Sequence, residues 1–497
     1  MHIARAIRDN NFRIPDKIPG VILNHTHTYP YLYHLILAFF PEKSRIVFER
    51  MSSAIFDTIS ILILYFFVDW VSGFFLHSIP NFALWFAVLL AISPPLLMVS
   101  RGPRAYRGTP RVFGQTLYFL HITTFFFFYT TGDIAALIVS LVSASLIFIS
   151  AKFGVQVLVL FGIFFGIFFS PMYLLYLILS YVLMYLLSFG RVVKVTEGQL
   201  RYNEFYVKLM KSKGYLRGFA SDLVELKIFL SRLKRNFISA MKGKVLDFIT
   251  WVLSERYFLY FLLIAFPQVI FLLFVIYKID IAASLFAFMM VWLIASLFWF
   301  LLTSFNYLRF LGQGERYLEY GLPASLFLSL YYLLSHGLEN VVVIFIFYSV
   351  IVYLVHIRIF IKNSSARNEN HFDDQKVFDF LKVQEKGVVL PIHSEWETLY
   401  RTQLPMLFYG SNIDLRKIPI AEFNSIYHNM HSPTANIVEL VERFKVKYII
   451  STHSHLREYL SEVLKNEAKF FNLADRIFES KNFVLFKVIN KDGTIKI

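Results

Sequence analysis

Long apolar stretches recur along this 497-residue chain and constrain its fold more than any other feature. With 57% hydrophobic residues and a mean hydropathy of +0.56, the chain is more apolar than a soluble domain. About ten stretches approach the roughly 17–25 residues that cross a bilayer as a helix. They lie at 53–74, 80–99, 114–131, 133–150, 153–170, 172–190, 257–277, 282–303, 323–338 and 340–361. The sequence therefore predicts an all-α polytopic membrane protein.

The segments between these stretches are unequal in length, so one side of the membrane receives the long loops. If the spans alternate in direction, that side, which we call the loop face, receives 1–50, 99–112, 191–256, 304–322 and 362–497. The opposite side has only tight turns, and their basic residue is Lys278. The positive-inside bias alone would make the loop face cytoplasmic. A site for a polar substrate is expected on the loop face.

Three regions follow from this pattern: a first loop at 1–50, a transmembrane bundle at 51–361 and a small soluble α/β domain at 362–497. In the last region, short runs rich in β-branched and aromatic residues predict strands, and periodic apolar residues predict helices. The expected strands are 387–392, 405–410, 446–452 and 481–489, with helices near 434–444 and 455–465. The sequence contains no glycine-rich phosphate loop, so nucleotide binding has no support. No nucleic-acid partner is assigned.

The loop at 191–256 is basic and has helical periodicity. It contains fourteen Lys and Arg against six acids, and in LVELKIFLSRLKRNFISAMKGKVLDFITWVL the apolar residues recur every three to four positions. A basic amphipathic helix of this kind lies in the headgroup layer of an anionic membrane. A solvated linker helix is the alternative interpretation.

Metal chemistry has little support in the sequence. Cysteine is absent, which excludes disulfides, thiolate metal sites and cysteine nucleophiles. In NHTHTYPYLYHLIL at 24–37, an extended segment would place His25 and His27 on one face, with His34 in the following helix. No acid lies between residues 17 and 41 to complete a ligand set. No metal ligand is therefore assigned, and a divalent metal is left open.

Several short motifs occur in a specific order along the chain. They are HIARAIR at 2–8, N-x-F-R-I-P at 10–15, the Y-P-x-L helix from 29, FERMSSAIFD at 48–57, ISPP at 92–95, AKFGVQ at 151–156 and GERYLEYGLP at 314–323. Each motif is weak alone, but their order resembles that of the GT-C glycosyltransferases. This superfamily includes the protein mannosyltransferases and the aminoarabinose transferases of lipid A. Its first outer loop carries two interfacial helices, which match 2–8 and 30–40.

The resemblance implies transfer of a sugar from a polyprenyl-phosphate donor to a glycan, lipid or protein acceptor. It places the reaction on the outer side of the cytoplasmic membrane, so the loop face and the C-terminal domain would be extracytoplasmic and in contact with membrane lipids. Such a transfer needs a carboxylate to accept the acceptor's proton and cations to stabilise the departing lipid phosphate. Arginine suits phosphate because its planar guanidinium donates two parallel hydrogen bonds.

Substrate contacts are assigned mainly to basic residues of the loop face. The segment SRGPRAYRGTPR at 100–111 contains four arginines and no acid. With the other residues that the resemblance implies, the substrate-binding set is His2, Arg5, Arg101, Arg104, Arg107, Arg111, Lys152, Arg316 and Tyr317. For Lys152 and Arg316, anchoring at the membrane interface is the alternative role.

Four carboxylates are candidates for the catalytic base. A helix over GERYLEY would place Glu315 and Glu319 one turn apart on the same face. Asp57 lies just inside the first apolar stretch, where a charged acid is costly to insert, and Asp9 follows the first helix. All four lie near the loop face.

The resemblance also implies that something precedes this sequence. In the GT-C pattern a span comes before the first outer loop, and the catalytic acid follows that span. We therefore expect about eleven spans, with a further span and a catalytic Asp or Glu upstream of Met1.

Two other classes of membrane protein stay open. An O-antigen polymerase or ligase would not be expected to have the paired interfacial helices, and a non-enzymatic transporter predicts polar or broken helices at mid-membrane.

Overall fold

The computed structural model places most of the chain in two connected parts, a helical bundle and a sheet with short helices. The structure describes residues 1–23, 27–76, 79–93, 108–212, 226–254, 262–264, 266–275, 284–304, 306–312, 314–393, 395–409, 418–428 and 432–489. The first loop contributes to both parts, since its helices pack on the bundle and its strand enters the sheet.

Fifteen of the described helices precede the C-terminal sheet strands. They are α1 (His2–Asp9), α2 (Leu32–Phe39), α3 (Glu42–Phe75), α4 (Phe82–Ala91), α5 (Pro110–Thr131), α6 (Ile134–Ile147), α7 (Lys152–Phe168), α8 (Met172–Leu187), α9 (Arg191–Ser212), α10 (Leu226–Met241), α11 (Val245–Ser254), α12 (Pro267–Val275), α13 (Ser284–Ser304), α14 (Glu315–Ser335) and α15 (Glu339–Val383). A short 3-10 helix, Asn306–Leu311, joins α13 to α14. Helix α15 runs across the domain boundary predicted at 362.

In the part of the chain that the structure describes, three helical segments are long and apolar enough to cross a membrane alone: α3, α13 and Glu339–Ile359 of α15. Helices α8 and α9 meet the combined requirement of length and apolar character only as a pair, with a bend of 119° between them. The predicted number of ten spans is therefore not confirmed. One reason is that α6, α7 and α8 end at Ile147, Phe168 and Leu187, two or three residues before their predicted ends, and so have 14, 17 and 16 residues.

Bundle helices approach closely where small residues face each other. A Cβ at Gly321 of α14 would lie 2.1 Å from Ser296 Oγ on α13, and one at Gly114 of α5 would lie 2.8 Å from the Cβ of Ala151. Such pairs are typical of membrane helices, because small side chains let two backbones come together. Buried aromatic rings fill the remaining space, and the indole N–H of Trp292 donates to a backbone carbonyl of α14 at 2.9 Å.

The second part is a six-stranded mixed sheet in the order β1-β3-β2-β4-β6-β5. The strands are β1 (Val21–Leu23), β2 (Val388–Ile392), β3 (Met406–Tyr409), β4 (Val446–Thr452), β5 (Ala474–Glu479) and β6 (Phe483–Val488). Strands β1 to β4 are parallel, whereas β6 is antiparallel to both β4 and β5. The accompanying helices are α16 (Glu395–Thr402), α17 (Ile420–Ile426), α18 (Ile437–Phe444), α19 (His453–Glu458) and α20 (Glu467–Leu473).

The α/β character of the C-terminal region is confirmed, and each predicted strand overlaps an observed one. Two strands were not predicted. β5 has mostly exposed or half-buried side chains and three charged residues among six, so it lacks a strand's apolar run. β1 comes from the first loop and pairs with β3, with Val21 opposite Met406. The C-terminal sheet is thus completed by the N-terminal loop.

Further contacts fix the first loop and α9 to the C-terminal domain. Arg5 forms an ion pair with Glu42, and its guanidinium lies 4.8 Å from the ring centroid of Tyr400. Phe205 of α9 is fully buried, and its ring centroid lies 4.9 Å from that of Phe423 in α17. Val21 and Phe205 belong to one apolar core under the sheet. The loop face is therefore covered by a domain that is attached at several points.

This attachment predicts that Phe205→Ala destabilises the docked arrangement. Truncation of a buried phenylalanine costs about 3–5 kcal/mol, because contacts are lost and a cavity is left. The variant should unfold at a lower temperature in detergent and be cleaved faster by protease within the C-terminal domain. Phe189→Ala is the control, since that ring is 97% exposed. Equal thermal stability of the Phe205 variant and the wild type would contradict the packing role.

Candidate functional site

A small pocket between the middle of α3 and the first turns of α5 and α14 collects several of the predicted residues. Its polar lining includes Asp57 of α3, Gln115 of α5 and Glu319 of α14. Arg111 of α5 forms an ion pair with Glu319. The structure therefore brings together two of the predicted carboxylates and one of the predicted arginines, from three separate segments of the sequence.

The Arg111–Glu319 pair is held by the starts of two helices. Arg111 follows Pro110, which occupies the first turn of α5 as proline commonly does. Glu319 lies one turn into α14, and its side chain is 3% exposed, against 10% for that of Arg111. Glu315 and Arg316, also in the first turn of α14, interact electrostatically with Glu319. The helical spacing predicted for GERYLEY is confirmed.

Burial makes this pair energetically expensive. Removing both charges from water costs several kcal/mol per ion, and an apolar pair of similar volume is often as stable. Near it, the Gln115 side-chain nitrogen and the Tyr320 hydroxyl are buried without a hydrogen-bond partner among the described residues. Asp57 is half-buried in the same pocket. A site with this arrangement can bind an anionic or polar group and place a carboxylate next to it.

Three of the four arginines of the predicted phosphate loop, Arg101, Arg104 and Arg107, lie outside the described residues. The described chain resumes at Gly108, where φ is +33° and a Cβ would lie 2.3 Å from the Glu49 carbonyl oxygen. This close approach fixes the end of the arginine loop against α3. Arg111 follows three residues later, so the loop ends beside the pocket.

The other cations of the loop face form a second group around Phe153. Lys152 Nζ lies 3.4 Å from the ring centroid of Tyr202 in α9, and the Arg316 guanidinium lies 5.6 Å from that of Phe153. Tyr317 is fully buried, and its hydroxyl donates to the Leu311 carbonyl at 2.8 Å. Cations above aromatic rings are stabilised by the ring quadrupole. These residues therefore flank α14 on the side facing α7 and α9.

The remaining predicted residues lie elsewhere in the first loop. His2 Nε2 is 2.9 Å from the Pro19 carbonyl oxygen, Arg5 contacts Glu42 and Tyr400, and Asp9 is exposed at the end of α1. The structure places His2 and Arg5 where they hold the first loop and the C-terminal domain together. None of the three lines the pocket with Asp57.

Sequence reasoning missed Gln115 as a member of the site. Its signal was present, because a polar side chain inside an apolar stretch is costly and one turn separates it from Arg111. His121, another polar residue of this helix, instead pairs with Tyr173 at 2.6 Å and Ser140 at 2.9 Å. Among the described residues, no group of three or more His, Asp and Glu side chains is arranged to hold a metal ion. His25 lies outside those residues.

Comparisons with known proteins give similarities to solved structures and no match by sequence. No protein-family model matches the chain, and no curated protein sequence matches it. The fold is similar to that of the oligosaccharyltransferase AglB of the archaeon Archaeoglobus fulgidus, solved with an inhibitory peptide and a dolichol-phosphate, with a TM-score of 0.49 and 13% identity. The match covers 91% of this chain and 64% of that one, so the chain spans less than two thirds of the neighbour's length. A similarity at this level carries no conclusion about activity.

The buried pair predicts a specific pattern in double substitution. Arg111→Met or Glu319→Leu alone should lower stability by about 3–5 kcal/mol, because each leaves an unpaired buried charge. The double variant, Arg111→Met with Glu319→Leu, should recover most of that loss. Thermal unfolding of the purified protein in detergent measures both effects. If the pair serves the reaction, activity stays lost in the double variant, and recovery of activity together with stability would make the pair a structural element only.

Proposed function

We propose that this protein is an integral membrane glycosyltransferase that moves a sugar from a polyprenyl-phosphate donor to an extracytoplasmic glycan, lipid or protein acceptor. The observation that carries the proposal is the convergence of Asp57, Arg111 and Glu319 at one pocket of the loop face. The ordered motifs that resemble the GT-C glycosyltransferases supply the reaction class, and two of the three residues lie within those motifs.

The reaction assigns a distinct task to each residue. The acceptor's oxygen or nitrogen attacks the anomeric carbon, the bond from that carbon to the phosphate oxygen breaks, and the lipid phosphate leaves. Asp57 takes the acceptor's proton. Arg111 donates hydrogen bonds to the phosphate as its charge develops, together with Arg101, Arg104 and Arg107 of the preceding loop. Glu319 fixes the guanidinium of Arg111 through their ion pair.

Comparison of envelope glycans, both lipid-linked and protein-linked, in cells with and without this protein tests the function. We expect one glycan to lose a sugar in its absence. Complementation with Asp57→Asn should restore little activity, since a positioned acid or base contributes about 10²- to 10⁴-fold to a rate. Asp69→Asn is the matched control, because Asp69 is exposed further along the same helix. Unchanged glycans in cells lacking the protein would overturn the proposal.

Sidedness is a separate prediction. The proposed reaction requires the loop face to be extracytoplasmic, against the direction that the basic charge alone indicates. A reporter that is active only outside the cytoplasm, fused after Ile497, should therefore be active. The same fusion with a reporter that works only in the cytoplasm provides the reciprocal measurement. Activity of the cytoplasmic reporter would exclude both the orientation and the proposed reaction.

A transporter is the second candidate, and one observation favours it. Gln268 follows Pro267, the first residue of α12, and is buried in hydrogen-bonding contact with Ser325 and Ser329 of α14, beside a small pocket within the bundle. Polar residues at a break between apolar helices are typical of substrate sites in transporters. A transporter would leave the sugar on its lipid carrier, so accumulation of unmodified lipid-linked sugar on one side only would favour it over the transferase.

A further inference from the structure

We propose that α10 and α11 form an anchor that lies in the headgroup layer of the membrane and binds anionic phospholipid. We call these two helices and the turn between them, residues 226–254, the basic hairpin. The sequence alone is compatible with a membrane-bound helix or with a solvated linker. The contacts, exposure and charges of the hairpin favour the membrane, and the anchor does not depend on the reaction proposed above.

A glycine turn joins the two helices. Gly243 has a φ of +89°, and a Cβ there would meet no atom within 4 Å, so the backbone conformation rather than lack of space favours glycine. Its N–H donates to the Ala240 carbonyl at 2.9 Å, and the N–H of Lys244 donates to the Ser239 carbonyl at 3.2 Å. These bonds cap the end of α10. Lys242 and Lys244 flank the glycine and are exposed, so the tip of the hairpin presents two cations.

Aromatic rings hold the inner faces of the hairpin together. The ring centroid of Trp251 lies 6.2 Å from that of Phe229 and 6.0 Å from that of Phe248, with the rings stacked in both pairs. Phe237 and Phe248 meet edge to face at 6.0 Å. The contact between α10 and α11 therefore uses one side of each helix, and the other side needs a different partner.

The outer side of the hairpin is apolar and exposed. On α10, Leu230, Phe237 and Met241 are spaced seven and four residues apart, so they lie on one helix face. Met241 is 77% exposed. A continuous apolar surface of this kind marks an interaction site. Within the described hairpin, the large apolar side chains that are exposed are Leu230, Phe237, Ile238, Met241, Val245, Leu246 and Ile249.

Cations border this apolar surface and indicate an anionic partner. Residues 226–254 contain six Lys and Arg and one acid, Asp247. Lys234 and Arg235 are exposed in the middle of α10, next to Leu230 and Phe237 along the helix. Long basic side chains cover apolar surface with their stems while their charged ends reach a phosphate. α10 is not one of the described helices that are apolar enough to cross a membrane. A helix in the plane of an anionic interface satisfies both its apolar and its basic residues.

A contact with α15 places the hairpin at the depth of the membrane boundary. The part of α15 that is apolar enough to cross a membrane is Glu339–Ile359. Near the end of this part, His356 Nε2 lies 3.2 Å from the Leu253 carbonyl oxygen of α11, and Arg358 is exposed. An exposed arginine at the end of an apolar span is typical of headgroup depth. The bilayer surface is therefore within reach of the hairpin.

The absence of cysteine allows single cysteines to measure the depth of the hairpin. Met241→Cys and Ile249→Cys each place a fluorescent label on its outer side, and Glu442→Cys places one at an exposed position of α18 as the control. The full-length protein is reconstituted in phosphatidylcholine bilayers or in an equal mixture with anionic phosphatidylglycerol, each with a nitroxide quencher near the headgroups. We expect quenching at both hairpin positions, stronger in the anionic bilayer, and none at residue 442.

Removal of charge tests the choice of lipid. Lys234→Gln with Arg235→Gln removes two cations from the hairpin, and Lys382→Gln with Lys386→Gln removes two exposed cations near the end of α15 as the matched control. One basic residue near an anionic surface contributes roughly fivefold to binding, so the hairpin variant should lower the ratio of docked to undocked hairpin about 25-fold. The control should leave that ratio unchanged, and high salt should lower it in the unsubstituted hairpin.

Two results would overturn the proposal. Labels at residues 241 and 249 that stay unquenched in every bilayer would show that the hairpin does not lie on the membrane. Equal quenching in neutral and anionic bilayers, or quenching in the anionic bilayer that Lys234→Gln with Arg235→Gln leaves unchanged, would show that it does not bind anionic phospholipid.

Discussion

Pairing of buried charge is the constraint on which the arrangement of the loop face depends. Arg111 and Glu319 are nearly inaccessible to solvent, so α5 and α14 must meet where the two side chains can neutralise each other. That meeting point fixes the first turn of α14, with Glu315 and Arg316, and the end of the arginine loop at Gly108. The pocket with Asp57 forms where these two helix starts meet the middle of α3.

Around the Arg111–Glu319 ion pair, charged and uncharged polar residues lie in different places. The pocket between α3, α5 and α14 holds ionised groups in a confined space, where electrostatic interactions are stronger than in water. Between the first loop and α9, Lys152 lies over the ring of Tyr202, and the buried polar groups are amides and imidazoles. The division follows from which helix starts are brought together, rather than from any single motif.

The sequence predicted the features that depend on local patterns. Hydropathy and residue spacing predicted the apolar bundle, four strands of the sheet, and the position of Glu315 and Glu319 one helical turn apart. Asp57 was singled out because an acid inside an apolar stretch is costly to insert into a membrane. Features set by distant contacts were missed. β1 is only Val21–Leu23 and pairs with a strand near the other end of the chain. Gln115 joins the site through tertiary packing, and α6 and α8 end before their predicted bounds.

The pairing of β1 with β3 also sets an order of events in biosynthesis. Val21–Leu23 emerges early, whereas its partner Met406–Tyr409 is made only after the whole bundle. The sheet can be completed only when both segments have reached the same side of the membrane. Pairing of β1 with β3 therefore depends on correct insertion of the helices between them. Until then β3 presents an open parallel edge, the kind of surface that pairs with other chains. A mis-inserted molecule would therefore keep that edge exposed, available to quality-control proteases.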